Sequence, residues 1–332
     1  MRSILRWARP AVAALVLAAV VWRLGTGPIL AGIRALDVRA LEAAAAVFFV
    51  STVCCAWRWR TVAVGLGVRL SMPAAVAAYY RALFLNLTLP GGVAGDVHRG
   101  VSHGRDVQDV GHAVRAVVWE RAAGQVVQVM LTVAVLFVLP SPVRSSMPLV
   151  AVALTVAAVG LILVARLRPD PKHRRWERVR NAIVADIRSG LLHRGAVAAV
   201  VLGSTVAVLG YAVIFLIAAR TAGVTASVPT LLPPALLAIL AMVLPSIGGW
   251  GPREGVTAWL FSAAGLGADR GAATAVAYGV MVLAASLPGG LLLVVGSLLR
   301  RRAPRPLAAM SSETEHTIGG NERIIPLSSP PR

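Results

Sequence analysis

The stretch Tyr80-Arg81-Ala82-Leu83-Phe84-Leu85-Asn86-Leu87-Thr88-Leu89-Pro90-Gly91-Gly92-Val93-Ala94-Gly95-Asp96-Val97-His98-Arg99 begins as an apolar helix and then breaks. Proline lacks the N–H that an interior helical position needs, and glycine tolerates the backbone angles released beside it. Pro90, Gly91, Gly92 and Gly95 therefore interrupt a run that carries Arg81 and Asn86 before the break and Asp96 and Arg99 after it. Interrupted backbone at membrane depth is tolerated only where protein or a water-filled cavity surrounds it. In a membrane chain this stretch is a re-entrant or discontinuous helix. Asp96 and Arg99, three apart, share a face once the helix resumes. Two readings stay open: an ion pair at the membrane rim, or an anion site made by Arg99 and unpaired N–H groups at a half-helix end.

Composition decides whether there is a membrane. The chain has 332 residues, 57% hydrophobic and 14% charged, with a mean hydropathy of +0.75. Soluble domains average about 45–50% apolar and about 25% charged residues. A water-soluble single domain is excluded, because too few polar side chains remain to cover its surface. Disorder is excluded for most of the chain by the same hydrophobicity. Cys54 and Cys55 are the only cysteines. As neighbours they rule out a disulfide-stapled domain and suit two small residues in a membrane helix. Lys and Arg number 33 against 14 acids, a net charge of +19. The basic residues fall in short runs between apolar stretches. That is the positive-inside pattern, so no nucleic-acid partner is expected.

The predicted fold is all-α and polytopic, with about six full spans of near 20 residues and two re-entrant or discontinuous segments. The spans are Ala8 to Leu24, Leu41 to Trp57, Ala122 to Leu139, Pro148 to Ala165, Ala196 to Ala219 and Ala272 to Leu299. Trp57-Arg58-Trp59-Arg60 reads as an interfacial anchor closing the second span. The broken segments are Pro73 to His103 and Pro229 to Gly265. The loop 166–195 is the most basic and is placed in the cytoplasm. Within it, Trp176 to Leu192 sets Trp176, Val179, Ile183, Ile187 and Leu191 on one side, as an amphipathic helix on the anionic inner leaflet does. Counting crossings then puts both termini on the cytoplasmic side of the inner membrane and makes the two broken segments approach from opposite faces. Residues 1–302 form the transmembrane domain, and 303–332 a disordered polar tail.

The second break is Leu244-Pro245-Ser246-Ile247-Gly248-Gly249-Trp250-Gly251-Pro252-Arg253-Glu254-Gly255-Val256. It aligns without gaps on Leu89 through Val101, and Leu, Pro, Gly and Val coincide at the first, second, twelfth and thirteenth positions. With the opposed approach, this suggests an inverted repeat around a site near the bilayer midplane. A third constellation, Glu120-Arg121, opens the span Ala122 to Leu139. Glu120, Gly124 and Gln128 recur every four residues as a polar stripe that should face the bundle interior. An acid at a helix N-terminus, favoured by the dipole, would also explain Glu120, but not Gln125 and Gln128. His98, His103 and His112 fit no compact zinc motif and read as solvated loop histidines. No P-loop, G-x-S-x-G or dinucleotide fingerprint occurs, so no metal, cofactor or enzymatic activity is expected.

The run Asn86 through Gly92 with Gly95, Asp96 and Arg99, the Glu120-Arg121 pair, and Pro245 through Gly255 together resemble the signatures of the lysylphosphatidylglycerol synthetase transmembrane, or flippase-like, domain. The resemblance covers roughly Val12 to Leu299. It implies an integral membrane fold with two re-entrant segments. In fused members it implies translocation of aminoacylated phospholipids made by a C-terminal aminoacyl-transferase. Here only a short polar tail follows Arg302, so no synthetase activity is carried over. The family also includes proteins linked to polyprenyl-phosphate sugar pathways. The expected ligand is therefore a membrane lipid: an anionic or aminoacylated phospholipid, or a polyprenyl-phosphate lipid. Arg99, Arg121 and Arg253 are expected to meet its phosphate, since guanidinium forks match that group. Asp96, Glu120 and Glu254 would meet a cationic headgroup, couple protons or neutralise those arginines. Gly91, Gly92, Gly95, Gly248, Gly249 and Gly255 would allow close approach, and Arg81, Asn86, Pro90, Gln128 and Pro245 complete the site. The alternatives are a transporter of a polar solute, or a non-transporting partner of a separate transferase.

Overall fold

The computed structural model describes residues 34, 36–89, 92–139, 174–242 and 251–302. The expected spans Ala8 to Leu24 and Pro148 to Ala165, the tail 303–332, and Pro90, Gly91, Pro245, Gly248 and Gly249 lie outside the described residues. Every described element is helical. The helices are α1 (Val38–Gly65), α2 (Met72–Thr88), α3 (Ala94–Asp106), α4 (Val110–Val138), α5 (Arg174–Asp186), α6 (Arg194–Thr221), α7 (Val228–Ala241), α8 (Pro252–Ala263) and α9 (Ala268–Arg302). The chain divides into two compact units, Met1–Leu292 and Leu293–Arg332. The first contains α1 to α8 and most of α9; the second contains the end of α9. Four stretches are long and apolar enough to cross a bilayer: α1, α4, Gly195–Thr221 of α6 and Ala268–Leu299 of α9. The protein is a multi-pass membrane protein.

Local chemistry sets the helix starts. The Asp37 carboxylate accepts the Ala40 N–H at 2.6 Å and caps α1, and the Asp109 carboxylate accepts the His112 N–H at 3.0 Å and caps α4. Side-chain oxygens at this position satisfy N–H groups that have no intrahelical partner. Pro73 sits in the first turn of α2, where its missing N–H costs nothing. Two expectations are corrected here. α1 runs on past Trp57 to Gly65, so the Trp57–Arg60 segment is interior helix rather than a terminal anchor. α4 begins at Val110, so Glu120 lies in the third turn and the helix-end reading of that acid fails.

The break after α2 is real. Leu89 is extended (ψ 148°), Gly92 takes φ +66°, and α3 resumes at Ala94. Asn86 holds the two pieces together. Its Oδ1 accepts the Gly95 N–H at 2.7 Å and its Nδ2 donates to Asp96 Oδ2 at 2.9 Å. A Cβ at Gly95 would collide with the Ala82 carbonyl, so the halves touch backbone to backbone. Close packing through small residues recurs elsewhere. α6 lies along α1 with Gly210 against the Ser51 hydroxyl and Gly203 against the Cys54 carbonyl, and Gly289 of α9 rests on the Tyr80 carbonyl. This is how helices associate where lipid removes the hydrophobic drive between them.

Two buried clusters flank α2. Tyr80 joins one with Phe48, Phe215, Phe261 and Tyr278. Tyr79 joins the other with Trp59, Val62, Ala116 and Val117. The expected amphipathic segment is helical from Arg174 to Asp186 and continues as one wide π turn, Ile187–Leu191. There Gly190 packs on Leu66, and Gly65 closes on the Ser189 carbonyl. Ile183, Val184 and Leu192 stay exposed.

Candidate functional site: a buried ion network

Glu120 is completely buried, and its carboxylate is the hub of the site. Oε1 accepts from Arg58 Nε at 2.8 Å, from Arg58 Nη2 and from the Tyr79 hydroxyl at 3.0 Å. Oε2 accepts from Arg99 Nη2 at 2.9 Å. Arg58 Nη1 donates to Ser204 Oγ at 2.6 Å, which draws α6 into the network. Asp96 is the second acid. Its Oδ1 accepts from Arg99 at 3.0 Å, and its Oδ2 accepts from Asn86 and pairs with Arg121. Five helices, α1, α2, α3, α4 and α6, thus meet around two carboxylates. Such burial is tolerable only because nearly every charge has an opposite partner.

The flat faces of the Arg99 guanidinium are covered as well. Its Cζ lies 4.5 Å from the Trp59 ring centroid and 4.2 Å from that of Tyr79. This sandwich fixes the side chain, and cation–π attraction offsets part of its desolvation. Beside Glu120, a Cβ at Gly124 would collide with the Arg58 guanidinium. The stripe Glu120, Gly124, Thr132, Leu136 is buried along α4, with Gln128 half-buried between them. The expected inward face is therefore present, and it exists to admit Arg58. Arg121 points the other way. Its side chain is 46% exposed while its partner Asp96 is 10% exposed, so the network has one exposed edge.

Arg253 and Glu254 make a pair of a different kind. Both are 2% exposed. Glu254 accepts from Arg253 Nε at 3.0 Å and, through Oε2, from the Gly251 N–H at 2.6 Å, closing the first turn of α8. Gly251 takes φ +111° there, a conformation suited to glycine. Arg253 lies over the Tyr278 ring at 5.1 Å. Gly255 is exposed and a Cβ there would meet open space, so the expected close approach does not occur at this glycine.

Of the residues singled out from sequence, the structure gathers Asn86, Gly95, Asp96, Arg99, Glu120 and Arg121. Arg81 lies half-buried on α2 next to this group. Asp96 and Arg99 do pair, but inside the bundle rather than as a simple rim pair. Arg58 and Tyr79 were missed. An arginine within a long apolar helix was the available signal for Arg58, since intramembrane charge faces the interior. The histidines are also corrected. All three lie on helices, and His103 packs edge-on to Trp59 at 5.8 Å, because α3 continues where a loop was expected. Among the described residues no group of His, Cys, Asp and Glu could hold a metal ion.

Long apolar helices tied together by buried charge define a polytopic membrane protein with an ion network in its interior. The chain matches the family described as the lysylphosphatidylglycerol synthase TM region over residues 6–290, and it belongs to that family. It is thereby a membrane protein of lipid-related processes. No curated protein matches it.

Proposed function

We propose that this protein binds the phosphate-bearing headgroup of a membrane lipid and carries it across the cytoplasmic membrane without chemical change. The observation that supports this reading is the charge balance at the site. Among the described residues Arg58, Arg99 and Arg121 pair with Asp96 and Glu120, and the least buried of the three cations, Arg121, stands at the exposed edge. An anionic headgroup arriving there restores neutrality. A headgroup cannot enter hydrocarbon bare, since stripping its water costs several kcal/mol or more; the network offers replacement donors. In this reading Arg121 receives phosphate, while Asp96 and Glu120 hold the guanidiniums in place. The interrupted pairs α2–α3 and α7–α8 form an inverted repeat approaching from opposite leaflets, with the termini in the cytoplasm of an inner-membrane protein.

The test is translocation of fluorescent phosphatidylglycerol in reconstituted vesicles. Arg121→Gln should slow translocation about tenfold, the cost of one charge-assisted contact, with Arg121→Lys, which keeps a cation beside Asp96, as the folding control. Wild-type rates in Arg121→Gln reject the reading.

A further inference from the structure

The ion network leaves donors unused on one side. Arg99 spends Nη2 on both Asp96 and Glu120. Its Nε and Nη1 are buried and have no hydrogen-bond partner among the described residues, and the same holds for Arg81 Nε and His103 Nε2. Buried donors left unmade are costly, so native interiors seldom keep several together without a ligand to answer them. These four are not scattered. Arg81, Arg99 and His103 line a single small cleft with a cavity volume of about 50 Å³, with Leu70, Ala74 and Ser102 among its other walls.

The chemistry of the walls selects the occupant. Arginine nitrogens only donate, so the ligand must accept. Two guanidiniums repel a cation. Asp106, exposed at the mouth, is the acid of this cleft. Taking Arg58, Arg81, Arg99 and Arg121 against Asp96, Glu120 and Asp106 leaves one positive charge. A single water can accept from only part of the set. A tetrahedral oxyanion with several acceptor oxygens matches the divergent donors, as arginine forks match phosphate. The faces of Arg99 are fixed by Trp59 and Tyr79, so its free edge is already oriented. His98 and Ser102 also border the space.

We propose that the cleft between α2 and α3 is a phosphate-binding site whose donors are Arg81, Arg99 and His103, taking either a lipid phosphodiester or free phosphate. It rests on the lipid reading above for its purpose, and it adds a docking point for the headgroup phosphate on the α2–α3 face beside the one at Arg121.

The experiment uses the full chain in a phosphate-free maltoside detergent, with calorimetric titration of two probes, inorganic phosphate and short-chain phosphatidylglycerol. Arg81→Gln and His103→Gln should each weaken binding about tenfold, and the melting temperature of each ligand-free variant, measured beside it, separates loss of a donor from loss of packing such as the His103–Trp59 contact. Loss for both probes assigns the site to phosphate as such; loss for the lipid probe with no binding of inorganic phosphate assigns it to headgroups. Wild-type affinity in both variants, or no binding of either probe by the parent protein, overturns the site. Either outcome leaves the Arg121 translocation result untouched, and a failed translocation assay with intact, Arg81-dependent phosphate binding would sink the transport reading alone.

Discussion

Glu120 and Glu254 are both buried glutamates paired with buried arginines, yet they do different work. Glu120 draws its partners from residues 62, 41 and 21 positions away along the chain. Glu254 draws its own from the adjacent Arg253 and from Gly251, three residues back. The first acid fastens helices to one another; the second starts a helix. A buried carboxylate is thus architectural in proportion to how far its partners have travelled.

Neutralising each acid should separate the two most sharply. Glu120→Gln leaves Arg58, Arg99 and Arg121 facing one carboxylate, and about 3–5 kcal/mol of stability should go with it. Hydrogen exchange should quicken in α1, α2, α3 and α4 together. In Glu254→Gln the faster exchange should stay within α8, at a cost of about 1–3 kcal/mol. Equal spread of exchange in the two variants would break the comparison.

The glycines beside the two acids give a finer contrast. Gly124→Ala drives a methyl into the Arg58 guanidinium, which is already held by Glu120 and Ser204, so about 1–3 kcal/mol should be lost as for other overpacked cores. Gly255→Ala meets open space on a helix and should gain up to about 1 kcal/mol from helix propensity. Thermal unfolding in detergent measures both.

The smallest effect belongs to a solvent-exposed cap of the Glu254 type. The His112 backbone N–H, donating to Asp109, holds that carboxyl below its ordinary value. The folded state therefore gains from this cap at pH above the usual carboxylate range, and the gain fades as acid protonates Asp109 in the folded chain. The protection of the His112 amide, taken against its intrinsic exchange rate at each pH, should fall on acidification, and Asp109→Asn should remove that pH dependence.

How much was readable beforehand follows the same division. Short-range features were legible: the Asp96–Arg99 pair three apart, the proline–glycine break, the four apolar spans that are described, and the inward stripe through Glu120 and Gly124. Arg58 was misread as an interfacial anchor because its acid lies on another helix, and nothing local distinguishes a guanidinium aimed at lipid headgroups from one aimed inward. The start of α4 was placed about three turns too late because the charged residues before Ala122 look like a cytoplasmic loop; pairing inside the bundle is what lets them be helical. The donors facing the α2–α3 cleft were invisible, since an unused hydrogen-bonding atom has no sequence signature.

Asn86 carries a mechanical consequence. Because its one amide grips both Gly95 and Asp96, the gap after Thr88 is spanned by a bolt rather than left as a joint. α2 and α3 then travel as one rigid wedge. Movement in this part of the bundle is then expected at the surfaces against which that wedge packs, the α9 glycines Gly289 and Gly290 foremost among them.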